Sequence, residues 1–128
     1  MRVERRDGRY QLIVYGDGNG NGVRNREIDS GIDPRSKGGW NWDRSDVTVG
    51  ILQNVRVPDP SNPSRQLSRK EDPVRFNNSN LCSFSPISES TPGSLYLTDG
   101  KKKMAVVRIR PERLRTRTTA IFFFPSVR

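Results

Sequence analysis

Residues 81–117 read LCSFSPISESTPGSLYLTDGKKKMAVVRIRPERLRTR, and the middle of this stretch decides the fold. Residues 94–98 alternate, with Leu95 and Leu97 on one side of a pleat and Ser94, Tyr96 and Thr98 on the other. Asp99-Gly100 follows, a pair that tolerates the positive φ of a tight turn. Residues 104–110 alternate again, setting Ala105, Val107 and Ile109 against Arg108 and Arg110. Two alternating runs about an Asp-Gly predict a hairpin, with Lys101, Lys102 and Lys103 making its loop longer than two residues. One face of that sheet is expected to be apolar and the other to carry arginine.

Working outward, RYQLIVY at residues 9–15 predicts a strand that stops at Gly16-Asp17-Gly18-Asn19-Gly20-Asn21-Gly22, where glycine and asparagine admit left-handed backbone. Residues 35–43 are polar, with Gly38-Gly39, and read as a surface loop clamped by Trp40 and Trp42. Residues 47–57 form a second strand region in which Gly50 marks a bend and the apolar phase shifts from Ile51 to Leu52. Residues 58–73 contain four prolines and little apolar content, which reads as a variable loop inside the domain. Short strands are expected at residues 74–76 and 81–85, and a long one over residues 113–124 that turns from basic to apolar. The fold class is therefore mainly β: one domain over residues 1–128, with six to eight short, mostly antiparallel strands in two small packed sheets or one bent sheet.

The totals bound the rest. At 31% hydrophobic residues and a mean hydropathy of −0.80, the core is modest. A net charge of +9 favours contact with polyanions, or is simply a solvated surface kept apart by its own charge. The longest apolar run, residues 120–124, is far short of the roughly 20 residues of a membrane helix, so no span is expected within the chain. The single Cys82 excludes an intrachain disulfide and reads as a small buried residue. Histidine is absent, which removes Ser–His and Cys–His nucleophile pairs. CxxC, HExxH, phosphate-loop and nucleophile-elbow motifs are missing too, so no enzymatic role and no catalytic residue is expected. A carboxylate pair such as Glu27 and Asp29 has no cleft assigned to it by the sequence.

Two constellations remain. Asp17-x-Asn19-x-Asn21-Gly22 resembles the front half of a calcium loop, with oxygen ligands at alternate positions and glycine at the bend. Ile28 stands at the twelfth position, where a bidentate acid is wanted, and is flanked by Glu27 and Asp29. A plain Asn/Gly turn leaving a strand is therefore the favoured reading, with a calcium set of Asp17, Asn19, Asn21 and Glu27 as the alternative. The second constellation is basic. In extended chain Arg113, Arg115 and Arg117 point the same way, as do Arg108 and Arg110. Paired strands would line up to five guanidinium groups in one patch, with Lys101, Lys102 and Lys103 at the hairpin tip. Such a patch neutralises DNA phosphates without reading sequence; the alternative is a solvated face that keeps a sheet edge from aggregating.

The ordered set of motifs resembles the GspH/FimT family of pseudopilins and minor type IV pilins. The residues that carry it are IVYGDGNGNGV at 13–23, IDSGIDP at 28–34, Ser83-Phe84-Ser85-Pro86, Thr91-Pro92-Gly93-Ser94-Leu95-Tyr96-Leu97 and Ala105-Val106-Val107-Arg108-Ile109. The family's glycine-arginine-x-arginine element corresponds to Leu114-Arg115-Thr116-Arg117, with leucine in place of glycine. The resemblance implies a non-catalytic head of two packed antiparallel sheets that binds other pilins or pseudopilins in a type II secretion pseudopilus or type IV pilus. It implies a periplasmic or cell-surface location and a membrane anchor by an N-terminal helix that is not in this chain. For DNA-uptake members it implies DNA contact through Arg108, Arg110, Arg115 and Arg117. A third alternative is a calcium-binding extracellular β module. Head contacts are expected at Trp40 and Trp42 or along residues 120–124.

Overall fold

Asp7 and Gly8, with φ of 51° and 75°, make a tight turn between β1 (Arg2–Arg6) and β2 (Arg9–Tyr15). Only glycine adopts such backbone without cost, which is why a second Asp-Gly marks this hairpin. The structure, a computed structural model, describes residues 1–42, 46–85, 90–112 and 115–123, with 111–112 and 115–123 described as backbone. After β2 a long connection carries the five-residue helix α1 (Asn25–Asp29) and leads to β3 (Arg35–Asn41), which pairs antiparallel with β2. The expected loop over residues 35–43 is thus largely a strand. Its residues are all exposed, so no buried face produces the alternation by which strands are read.

The second sheet has the order β10-β9-β8-β4, with β7 also on β8. Its strands are β4 (Thr48–Val49), β7 (Val74–Phe76), β8 (Gly93–Thr98), β9 (Met104–Glu112) and β10 (Arg115–Phe123), all paired antiparallel. β8 and β9 are the hairpin expected from Asp99-Gly100, in register from Thr98↔Met104 to Gly93↔Ile109. Asp99 Oδ1 accepts the backbone N–H groups of Lys101, Lys102 and Lys103 at 2.8–2.9 Å, which closes the longer turn. A third sheet, not anticipated, pairs β5 (Pro58–Asp59) with β6 (Asn62–Gln66) inside the Pro-rich segment. The region 47–57 is strand only at β4; the rest is irregular.

The two main sheets pack through Val3, Val49, Phe76, Cys82, Leu95 and Ile109, with Tyr10, Trp42, Leu97 and Val107 against them. This is the expected apolar face. The opposite face of the second sheet is not simply the arginine face that alternation suggested. Tyr96, Met104 and Val106 are buried there with Ile51, Leu52, Val57 and Leu67. The irregular segment 50–57 and the start and end of the β5–β6 hairpin supply that cover, so the sheet is apolar on both sides. Each such buried side chain contributes about 1.5–3 kcal/mol.

Candidate functional site

The connection between β2 and β3 is tied at its base. Gly16 N–H donates to Pro34 O (3.0 Å), and Gly18 N–H to Asp33 Oδ1 (3.0 Å). Gly18 has no substitute, because a Cβ there would overlap the Ile32 carbonyl oxygen. Asp33 is 1% exposed, and its other oxygen accepts Arg24 N–H at 2.9 Å. One carboxylate thus satisfies two backbone donors from opposite arms of the loop.

Above this base lie the residues of the calcium-like pattern. Asp17 is exposed; its Oδ1 accepts Asn19 N–H (3.2 Å) and Gly20 N–H (2.8 Å), and its Oδ2 accepts Gly22 N–H (2.8 Å). The Gly22 bond above all, joined by those from Asn19 and Gly20, holds the Asp17 carboxyl below its usual range. Asn19 and Asn21 turn their side-chain amides onto a single oxygen, Glu27 Oε1, at 3.1 and 2.8 Å. Glu27 is only 6% exposed. Its second oxygen, Oε2, is buried with no hydrogen-bond partner among the described residues. The structure therefore brings Asn19, Asn21 and Glu27 into contact and links Asp17 to them through the loop backbone. Among the described residues no three acids or thiols converge, since this group is two acids and two amides.

Ile28 stands at the twelfth position of the calcium-like pattern, beside Glu27. The helix starts at Asn25, and one turn carries Glu27 round to the amides while Ile28 is buried at 8% exposure. Glu27 and Asp29 do not form a carboxylate pair. Asp29 Oδ1 instead accepts Arg2 Nη1 at 2.9 Å, beneath a network in which Glu4 Oε1 accepts Arg2 Nε (2.7 Å) and Tyr15 Oη–H (2.7 Å). Burial pushes the Glu4 carboxyl up, but the bonds from Tyr15 and Arg2 outweigh it and hold the group below its ordinary value.

The basic constellation divides: the register sets positions 108, 110, 115 and 117 on one face of the β9–β10 pair, and the three lysines lie at its far end. Arg108 is engaged by the β5–β6 turn, donating Nη1 to Pro60 O (3.3 Å) and Nη2 to Ser61 Oγ (3.2 Å). Arg110 is exposed, and the register sets Arg117 opposite it and Arg115 opposite Glu112. Arg113 lies outside the described residues. Lys101, Lys102 and Lys103 are exposed at the other end of β9, about 23 Å from Arg110 at roughly 3.3 Å per residue. Two further cations serve the irregular segment. Lys70 Nζ donates to Gln53 O (2.6 Å) and Val55 O (2.8 Å), and Arg75 donates to Ser68 O, Arg69 O and Asp72 O, each at 2.6 Å. Backbone carbonyls without a ladder need donors, and here basic side chains provide them.

A third surface is the edge of the first sheet at β3, whose far side pairs with no strand among the described residues. β1 is covered by residues 80–82: Val3 N–H donates to Asn80 O (2.9 Å) and Cys82 N–H to Met1 O (2.8 Å). β3 forms the other edge, and on it Trp40 is 60% exposed. Trp42, named with it from the sequence, is partly buried against the core instead. Cys82 is fully buried, and burial pushes its thiol up to about 11, the opposite of an activated nucleophile.

No family model, curated protein or solved structure matches this chain.

Sequence reasoning nominated Asp17, Asn19, Asn21 and Glu27, and these are the polar residues that gather. It missed Asp33, whose only local signal was its place between Gly31 and Pro34 in the following turn. The expected contact run 120–124 is strand β10 up to Phe123, described as backbone, and Phe124 lies outside the described residues.

Proposed function

We propose that this chain is the head domain of a GspH/FimT-type pseudopilin or minor pilin, acting by contact with neighbouring subunits and not by catalysis. Two packed antiparallel sheets support the reading, with residues 93–97 and 105–109 of the quoted motifs on consecutive strands β8 and β9 and Arg115 to Arg117 on β10, although Ser83 to Ser85 are not in a strand. The observation that carries it is the edge strand β3, seven exposed residues long, with Trp40 presented on it. An open edge with an exposed aromatic offers both backbone groups and apolar surface to a partner strand or groove. In this reading the head works on the periplasmic or cell-surface side of the inner membrane. An apolar helix preceding it would hold it there. No helix among the described residues is long and apolar enough to cross a membrane.

The test is the mass and membrane partition of the protein isolated from its own cells. The reading expects an N-terminal extension containing an apolar stretch of about 20 residues, and release from membranes only by detergent. A native protein without such a segment, recovered in the soluble fraction, overturns it.

A second reading, duplex-DNA capture, is favoured by one observation: exposed Arg110 has Arg117 as its cross-strand neighbour. It predicts affinity that collapses with salt and is lost on joint Arg115→Ala and Arg117→Ala substitution. Affinity unchanged by that double substitution removes these arginines from consideration.

A further inference from the structure

We propose that the β2–β3 connection binds a hard divalent cation of the calcium class, with Glu27 as the buried anchor and Asp17, Asn19 and Asn21 as the outer ligands. The Glu27 carboxylate carries the inference. It is 6% exposed, turned into the loop, and bonded through one oxygen to two amides while the other oxygen has no partner among the described residues. A buried polar atom left this way calls for a missing counterpart, and for a carboxylate the natural counterparts are a cation or a strong donor. Arg2 does not supply it, being committed to Glu4 and Asp29.

The surrounding groups suit an ion better than a proton. An asparagine amide offers a donor or an acceptor to the same point by a half-turn about its last bond. Turning Asn19, with loss of the 3.3 Å bond its Oδ1 accepts from Asn21 N–H, and turning Asn21 replaces two N–H donors with two carbonyl oxygens beside the Glu27 carboxylate, an arrangement that only a cation stabilises. Asp17 sits at the head of the loop and remains ionised. Its bonds from Asn19, Gly20 and Gly22 close the turn that carries Asn19 and Asn21 to Glu27. Asp33 is not among the ligands: it is 1% exposed at the base of the connection, tied to Gly18 and Arg24, whereas Asp17 is exposed and its Oδ2 accepts a single N–H.

Two carboxylates, two amides and water make an oxygen shell of low total charge. That places the affinity with extracellular calcium modules, at about 10⁻⁴–10⁻³ M, and disfavours magnesium, which demands a tight octahedron and dehydrates reluctantly. The ends of the connection are β2 and β3, so a bound ion would pin that hairpin. The site does not depend on the pilin reading.

The test is calorimetry and thermal melting of the whole chain, stripped with chelator and titrated with calcium chloride to about 10 mM, above the weakest constant of this class. The expected result is one calcium bound and a melting temperature raised by several degrees, with a much smaller response to magnesium. Glu27→Gln should abolish both signals without lowering the metal-free melting temperature, because it removes an uncompensated buried charge. Asn21→Asp should tighten calcium binding about tenfold while destabilising the metal-free loop, by adding a ligand charge beside Glu27. No response of the wild-type chain, an undiminished response in a folded Glu27→Gln variant, or an affinity not raised by Asn21→Asp would each overturn the proposal.

Discussion

The β2–β3 connection and the β9–β10 ribbon carry the two polar constellations of this molecule, and they arrange them differently. The connection folds inward: a glycine-rich turn and one helical turn bring side chains ten residues apart, Asp17 and Glu27, to the same small loop system. The ribbon spreads outward. Successive residues of a strand advance about 3.3 Å each, so Lys103 and Arg110 end far apart, and Arg108 between them is taken by the Pro60 turn. The loop brings its polar groups to one carboxylate, whereas the ribbon keeps its lysines and arginines at opposite ends.

The largest expected effect comes from breaking the loop. Gly18→Ala should cost about 3 kcal/mol, because the new methyl meets the Ile32 carbonyl, a backbone atom that cannot turn aside. Urea denaturation measures this, and a loss under about 0.5 kcal/mol would mean that the connection is not anchored as described. Next is Asp33→Ala, which strands the N–H groups of Gly18 and Arg24 and should cost about 2–3 kcal/mol by the same measurement. On the ribbon the effects are smaller and unequal. Arg108→Ala should cost about 1 kcal/mol through its lost bonds to Pro60 and Ser61, whereas exposed Arg110→Ala should stay within about 0.5 kcal/mol. Equal losses would erase the distinction between a clamped and a free arginine.

Acid separates the regions with the smallest perturbation. Glu4 and Asp17 both hold their protons less tightly in the folded chain than in the unfolded one. Their contribution is present above the unfolded values, about 4.3 and 3.9, and is lost as pH falls through the lower folded values. The amide resonance of Gly22 should shift as Asp17 protonates below about pH 3.9. A Gly22 midpoint above 4 would contradict the loop hydrogen bonds.

The hairpin of β8 and β9 was legible because its residues alternate and its turn is Asp-Gly. Its second apolar face was not, although Tyr96, Met104 and Val106 stand in plain sequence. The residues that cover them, Ile51, Leu52, Val57 and Leu67, come from a segment with no periodicity to read. β1 escaped notice because RVERR is charged, yet Asp7-Gly8 carried the same signal as Asp99-Gly100. β3 is held by pairing with β2, Leu12 opposite Trp40, and nothing in its own residues announces a strand. At the candidate site the alternating polar residues Asp17, Asn19 and Asn21 were readable from spacing. The role of Glu27 was not, because it depends on where a five-residue helix begins.

The central claim is that the head acts through its open β3 edge on other subunits of the same kind. A photo-reactive amino acid at position 40, introduced into the full protein in its own cells, tests this most directly. The account predicts cross-links to a protein that itself carries an N-terminal apolar helix of about 20 residues, and none to it from the same group at Arg65 on β6. Absence of such a product, or equal yields from both positions, would contradict it.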